Sequence, residues 1–144
     1  MDERIAALLR EETVRTGLRQ AWEDSSPGVF GGHEEGGFIC INTQGEYVID
    51  RWQSGDTAEI FAPPHPGGKR NNEVIVATFH THPNTGNSFE QEPNITDCEV
   101  VVEDADLKTI HYVGEFVLSL DHLYFVSPDG EYTTLGEREV LLSA

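Results

Sequence analysis

Two histidines separated by one residue are the part of this sequence whose types and spacing could do chemistry. His80 and His82 follow a β-branched, apolar run at residues 74–79, which predicts a buried strand that ends at Pro83. Because residues two apart on a strand face the same way, we expect both imidazoles to project in one direction. Two imidazoles at a strand end are two of the three protein ligands that a catalytic zinc requires.

The third ligand is predicted at Asp97. The sequence before it, Pro93-Asn94-Ile95-Thr96, indicates a helix start in which Asn94 is the N-cap and Asp97 lies in the first turn. The alternative is that His80 and His82 are a solvated or core pair that binds nothing, since short motifs also occur by chance.

The charge of the chain limits its partners. Among 144 residues, 26 are Asp or Glu and 9 are Lys or Arg, which gives a formal net charge of −17. Such a surface repels phosphate backbones and anionic membranes, so we expect neither nucleic acid nor a membrane as a partner. Basic or neutral substrates are favoured.

The composition is that of a globular protein, and the length predicts one domain over residues 1–144.

The compartment is predicted from the absence of targeting signals and from cysteine usage. The sequence has no apolar run long enough to span a membrane, and its first residues do not open a signal peptide. Its two cysteines, Cys40 and Cys98, are too few for a disulfide framework or a cysteine-rich zinc site. We therefore expect a cytoplasmic protein with structural cysteines.

The elements that must position the histidines alternate between helical and strand patterns. We predict a helix over residues 2–23, a hairpin around the turn at 42–46, a loop at 62–72, the histidine strand, a short helix after Asp97, strands at 110–113, 116–118, 122–126 and 131–135, and a closing helix at 136–142. The segment at 84–88 reads as loop. This order predicts an α/β sheet with helices packed against it.

Two further places carry candidate site residues. Glu34 and Glu35 precede Gly36 and Gly37, which let another backbone or a ligand approach the first strand closely. Either carboxylate could reach the mouth of the sheet, or both could be exposed acids of an acidic protein. His65, in the loop at 62–72, is a weaker candidate because a loop histidine is usually solvated.

Taken in order, these motifs resemble a known family. Glu34-Glu35-Gly36-Gly37-Phe38, His80-Thr81-His82-Pro83 and Asn94-Ile95-Thr96-Asp97 are similar to the pattern of the JAMM (MPN-type) zinc metallopeptidases. That pattern is Glu, two residues, Gly and an apolar residue, then His-x-His-Pro, then Ser-x-x-Asp. The resemblance covers about residues 34–97 and implies a cytidine-deaminase-like α/β/α sandwich with a central mixed sheet.

The resemblance also implies roles for individual residues. His80, His82 and Asp97 would bind Zn²⁺, and Glu34, which has the family spacing to Gly37, would activate the water. The sequence departs from the pattern in two places: Asn94 occupies the serine position, and the stretch between Pro83 and Asn94 is longer than usual. Asn94 could still donate an amide N–H to an oxyanion.

The implied function is hydrolysis of an amide or isopeptide bond in a protein or peptide substrate, such as a ubiquitin-like modifier with a basic C-terminal tail. Three alternatives remain open at this level. The domain could be a catalytically weak or inactive scaffold or binding module of the same fold. It could be the catalytic domain of a bacterial toxin or anti-phage system. It could also be an unrelated acidic α/β domain in which the motif is coincidental.

Overall fold

A computed structural model describes residues 1–28, 31–84 and 91–143 of the chain. Its α-helices are α1 (Glu3–Arg10), α2 (Glu12–Asp24), α3 (Ile95–Glu103) and α4 (Arg138–Leu142). Its strands are β1 (Gly36–Ile41), β2 (Tyr47–Arg51), β3 (Lys69–Arg70), β4 (Glu73–Thr81), β5 (Gly114–Leu118), β6 (His122–Val126) and β7 (Tyr132–Glu137). Short 3₁₀ turns occur at Pro66–Gly68 and Ala105–Leu107.

One mixed sheet contains all seven strands. Their order is β2-β1-β4-β5-β6-β7, and the two-residue β3 pairs with the start of β4. Only the β4–β5 pair is parallel, and the chain crosses between these two strands through α3. A parallel pair requires such a crossover because its strands run in the same direction. The expectation of an α/β fold with a central mixed sheet is therefore confirmed.

β4 lies in the interior of the sheet, with β1 on one side and β5 on the other. Its last seven residues are all buried, as an apolar, β-branched run predicts for a strand covered on both faces. The register places His80 opposite Gly36 of β1 and Val117 of β5. The end of this strand is thus held on both sides, which fixes where the histidine side chains emerge.

Two apolar clusters cover the two faces of the sheet. The larger cluster joins α1, α2 and α4 to strand residues that include Ala77, Phe79 and Phe116. The second cluster contains Val101 of α3 and Val117 of β5. Alternate side chains of β5 and β6 enter different clusters, as strand geometry requires. At the end of β4, Thr78 contacts Tyr112 of the second cluster at 2.7 Å, so the even-numbered residues there face the layer of α3.

Several sequence-based boundaries differ from the structure. The helix predicted over residues 2–23 is two helices, because Glu11 is extended with φ −80° and ψ 123°. The Arg15 guanidinium donates to the Leu9 carbonyl and satisfies an acceptor at the end of α1. Residues 110–113 are not a strand, whereas the predicted strands at 116–118 and 122–126 are present. The loop predicted at 84–88 lies, after Asn84, outside the described residues.

Among the described residues, no helix combines the length and the apolar character that crossing a membrane requires. Cys40 and Cys98 are free thiols, and Cys40 is buried in the second cluster. Cys40 is thus a core residue, in agreement with the structural role expected from the sequence.

The close approach at Gly36 yields a stability prediction. A Cβ at Gly36 would lie 2.6 Å from the Phe79 carbonyl oxygen and 2.7 Å from Trp52 Cε3, so backbone would have to shift. Gly36→Ala should lower the free energy of unfolding by about 1–3 kcal/mol, the usual cost of overpacking. Chemical denaturation measures this loss, and Gly28→Ala is the control because a Cβ there meets no atom of the described, non-adjacent residues within 4 Å. Equal stability of the two variants would contradict the packing described.

Candidate metal centre

The two histidines emerge together at the end of β4. His80 is within the strand, and the His82 amide donates to the Leu118 carbonyl at 2.7 Å, which continues the pairing with β5 past the last strand residue. Both side chains face the same way, with ring centroids 4.9 Å apart. Their Nε2 atoms are separated by 3.1 Å. The alternation of the strand thus brings two imidazole nitrogens to one point, as the sequence predicts.

The Asp97 side chain approaches the two histidine Nε2 atoms from the first turn of α3. Asn94 is the N-cap, and its side-chain oxygen accepts from the Asp97 amide at 2.9 Å. In return, Asp97 Oδ2 accepts from the Asn94 amide at 2.9 Å, which completes a capping box. The predicted helix start is therefore correct, and the cap holds the Asp97 carboxylate in one orientation.

The distances among the three groups match those of a tetrahedral metal site. His80 Nε2 lies 3.3 Å from Asp97 Oδ1, and His82 Nε2 lies 3.4 Å from Asp97 Oδ2. Zinc with ligand distances of about 2.0 Å places tetrahedral ligand atoms about 3.3 Å apart. With the 3.1 Å between the two Nε2 atoms, every separation is within about 0.2 Å of that value. The two histidine contacts end on different oxygens of Asp97, and the three residues together form a group that could hold a divalent metal.

The outward-facing nitrogen of each imidazole also has an acceptor nearby. His82 Nδ1 is 3.2 Å from the Gln91 carbonyl oxygen, and His80 Nδ1 is 3.5 Å from Oε2 of Glu115. Metal-binding histidines ordinarily donate their second N–H to a carbonyl or carboxylate, which directs the other nitrogen to the metal. The surroundings of both rings thus favour the tautomer in which Nε2 is free to bind.

The charges around this point favour a cation. Burial alone would lower the pKa of His80, but the carboxylates of Glu115 and Asp97 outweigh it and hold that pKa well above its ordinary value. Burial alone would raise the pKa of Asp97, but hydrogen bonds and charge interactions with His80 and His82 hold it well below its ordinary value. Without a metal, a proton on His80 supplies positive charge at the site.

Glu34 faces the same cavity as two of the predicted ligands. It is 7% exposed, and it lines a cavity together with His80 and Asp97. Its backbone is held by hydrogen bonds with the carbonyl of Asp56 and the amide of Gly55, at 2.7 and 2.8 Å. Burial raises the pKa of the Glu34 carboxyl, and the nearby imidazoles act in the opposite direction. A carboxylate in this environment is suited to accept and return a proton.

Glu35 has different partners from Glu34. Its side chain is 4% exposed and forms ion pairs with Arg51 and with His33, the latter at 2.6 Å. Arg51 in turn contacts Asp24 at the end of α2, at 3.0 Å. Glu35 is not among the described residues that line the cavity. Its carboxylate connects the approach to β1 with β2 and α2.

Asn94 is exposed and lines a groove on a different side of α3, with Cys98 and Tyr132. It is not among the described residues that line the cavity of Glu34 and His80, whereas its neighbour Thr96 is. The role that the structure gives to Asn94 is the cap, which uses its side-chain oxygen. Its amide nitrogen is not used by the cap, so capping and donating would involve different atoms.

His65 belongs to a second group, with Asp104 and Asp106. Its Nδ1 is 2.7 Å from the Pro63 carbonyl oxygen, and its Nε2 is 2.7 Å from Asp104 Oδ2. The distance between His65 Nε2 and Asp104 Oδ2 is that of a hydrogen bond. It is shorter than the separation of about 3.3 Å between two ligand atoms of a tetrahedral metal. His65 therefore connects its loop to the end of α3 and is not part of the metal centre.

Glu115 is the site residue that the sequence reasoning did not identify. It lies on β5 beside Thr78 of β4, is 6% exposed and lines the cavity with Glu34. The available signal was a carboxylate within an apolar strand run, since a buried charge requires a partner. That partner could not be found from sequence because it depends on the parallel pairing of β4 with β5.

Comparison of the chain with protein-family models, curated proteins and solved structures found no match.

The Glu115 contact predicts a graded loss of metal affinity. Glu115→Gln keeps the size of the side chain but removes the charge that polarises His80, so zinc should bind about 10–100-fold more weakly. His82→Ala removes a ligand and should abolish measurable binding. Competition with a chromophoric chelator measures both affinities.

Glu35→Gln is the matched control because it also removes a buried carboxylate, but one that contacts Arg51 and His33. It should lose stability and keep its zinc affinity. If Glu35→Gln and Glu115→Gln weakened zinc binding equally, Glu115 would not be the residue that polarises His80.

Proposed function

We propose that this protein is a zinc-dependent hydrolase of amide or isopeptide bonds, with the cytidine-deaminase-like α/β/α fold of JAMM (MPN-type) metallopeptidases. The observation that carries the proposal is the convergence of His80 Nε2, His82 Nε2 and the Asp97 carboxylate, at separations of 3.1–3.4 Å. Two imidazoles and one carboxylate are a known donor set of catalytic zinc sites, in which a fourth position stays open. The mixed sheet, with helices on both faces, is compatible with the proposed fold.

Bound zinc supplies a Lewis acid that lowers the pKa of a water and polarises a carbonyl. The protein groups then handle the proton. The Glu34 carboxylate accepts a proton from the water as its oxygen bonds to the carbonyl carbon, and returns that proton to the nitrogen as the carbon–nitrogen bond breaks. The location of Glu34 in the cavity of His80 and Asp97 supports this role. Water, amide and the two products balance without a further reactant.

Asn94 is not among the described residues that line the cavity, but it caps the helix turn that carries Asp97, and on that ground we propose it as a donor to the developing oxyanion. Its side-chain oxygen is engaged by the Asp97 amide, and this contact leaves the NH₂ group as the donor. An oxyanion needs donors within about 3 Å of the position where charge develops. Asn94 occurs at the helix N-terminus, which contributes a positive partial charge of its own. The proposal therefore assigns two separate atoms of one side chain to stability and to catalysis.

The proposed substrate is a protein or peptide, and a ubiquitin-like modifier with a basic tail is one example. The net charge of −17 supports a substrate with basic or neutral segments, and it disfavours nucleic acids and anionic membranes. We place the protein in the cytoplasm, where two free thiols remain reduced.

The test of the proposed function is the pair of adjacent glutamates. Glu34→Gln should keep zinc and the fold but lose nearly all hydrolysis, because the amide cannot accept a proton. The assay is cleavage of isopeptide-linked and linear ubiquitin-like conjugates by the zinc-loaded protein, with zinc content measured in parallel.

Glu35→Gln is the control and should retain much more activity, since Glu35 is engaged by Arg51 and His33. Loss of activity in Glu35→Gln with retention in Glu34→Gln would reverse the assignment. Absence of bound zinc in the wild-type protein would remove the basis of the proposal.

Substitution of Asn94 separates capping from catalysis. Asn94→Ala should lower the free energy of unfolding by about 1 kcal/mol through loss of the cap and lower turnover about a hundredfold to a thousandfold through loss of the donor. Asn94→Ser keeps an N-cap oxygen and a hydroxyl donor, so its activity should equal or exceed that of the wild type. Unchanged turnover in Asn94→Ala, measured together with a lower melting temperature, would restrict Asn94 to the cap.

A further inference from the structure

The cavity that contains the metal ligands extends beyond them. It has a volume of about 220 Å³, and Glu34, His80, Asp97 and Glu115 form only part of its lining. The remainder comes from Trp52, from the loop at 58–62 and from Thr96 and Val100 of α3. The polar groups thus occupy one part of the cavity and leave a mainly apolar wall beside the metal position.

The apolar wall has a fixed side and a more accessible side. Trp52 is 8% exposed, and its ring packs against Phe38 with a centroid distance of 5.2 Å. Its Cε3 edge faces Gly36 of β1, so the indole is held between the sheet and the loop. Phe61 and Val100, in contrast, are 78% and 58% exposed. These two side chains leave large apolar area in contact with solvent at the cavity, which a bound group would cover.

The indole N–H of Trp52 supplies a second observation. It is buried and has no acceptor among the described residues. A buried Trp N–H ordinarily has a partner, because an unpaired donor costs free energy. This unpaired donor belongs to a residue that lines the cavity.

We infer that this wall is a subsite for a large apolar side chain of the substrate, next to the bond that is cut. The whole cavity, with the metal position included, has a volume of about 220 Å³, compared with about 150 Å³ for an apolar cavity that accepts benzene. Because the lining residues Phe61 and Val100 are exposed, an aromatic side chain can extend beyond this volume toward solvent. This inference rests on the proposed function, which defines the position of the scissile bond. It adds to that function a substrate preference for an aromatic or large aliphatic residue. Trp52, Ile60 and Val100 are the residues that determine this preference.

A cationic side chain is the occupant that the acidic groups of the cavity would otherwise suggest. Three of the four carboxylates that line the cavity already have a role at the metal position, and the fourth, Glu59, is exposed to solvent on the loop at 58–62. Asp97 contacts both imidazoles, Glu115 faces His80 Nδ1, and Glu34 is the proposed base. A bound divalent metal also offsets their charge. Apart from the exposed Glu59 and Thr96, the remaining lining is apolar, and burial of an ammonium group against it would be costly.

The experiment compares small hydroxamates, which bind zinc through two oxygens, by titration calorimetry on the zinc-loaded protein. Acetohydroxamate occupies the metal position alone, and 3-phenylpropanohydroxamate adds an aromatic group. We expect the phenyl compound to bind about tenfold to hundredfold more tightly, as burial of a phenyl group predicts. 6-Aminohexanohydroxamate, which ends in an ammonium group, should gain nothing over acetohydroxamate.

Val100→Trp fills the cavity from its accessible side and should remove the preference for the phenyl compound while acetohydroxamate binds as before. Val140→Trp, on α4, is the matched control because Val140 is 63% exposed and is not among the described residues that line the cavity. Equal binding of the acetyl and phenyl compounds to the wild type would overturn the inference. Tighter binding of the aminohexanoyl compound would also overturn it.

A second measurement separates this inference from the proposed function. Binding of 2-phenylethanol to the metal-free protein, detected by saturation-transfer NMR, requires the apolar wall and does not require zinc. Saturation transfer in the wild type and in Val140→Trp, with loss in Val100→Trp, supports the subsite even if the protein binds no zinc. The same signal in all three proteins, or no signal in any, rejects it.

Discussion

The fold holds three mutually repelling groups, the His80 and His82 imidazoles and the Asp97 carboxylate, close together at this site. Two imidazole nitrogens and a carboxylate lie 3.1–3.4 Å from one another in a largely buried position. Lone pairs at these distances repel, and burial weakens the screening that water would provide. Only a positive charge between them, whether proton or metal, makes the arrangement favourable. The capping box of α3 and the central position of β4 keep the three groups together.

The need for a balancing positive charge also separates the buried carboxylates into two groups, one with cationic partners in the protein and one without. Glu34, Glu35 and Glu115 are the acidic residues that are buried among those described. Glu35 has Arg51 and His33 as protein partners, so its charge is balanced within the chain. Glu34 and Glu115 instead line the cavity, where no Lys or Arg is found among the described lining residues. The charge that balances them must come from the histidines or from a bound cation.

Residues whose position depends on local geometry could be predicted from the sequence, and residues whose position depends on distant contacts could not. The shared direction of His80 and His82 follows from strand alternation, and the position of Asp97 follows from the cap at Asn94. Glu115 acquires its partner only through the pairing of β5 with β4. The break at Glu11 has no Gly or Pro to indicate it, and depends on a side-chain contact made by Arg15.

The capping box has a kinetic consequence, because one carboxylate serves both the helix and the metal position. Asp97 Oδ2 accepts a hydrogen bond from the Asn94 amide. The same oxygen lies 3.4 Å from His82 Nε2. When the first turn of α3 frays, the carboxylate loses its anchor and the third ligand moves away from the histidines. Helix ends open far more often than whole domains unfold. For an ion held by His80, His82 and Asp97, the opening of a single helical turn would therefore limit the residence time, and exchange would not require the sheet to unfold.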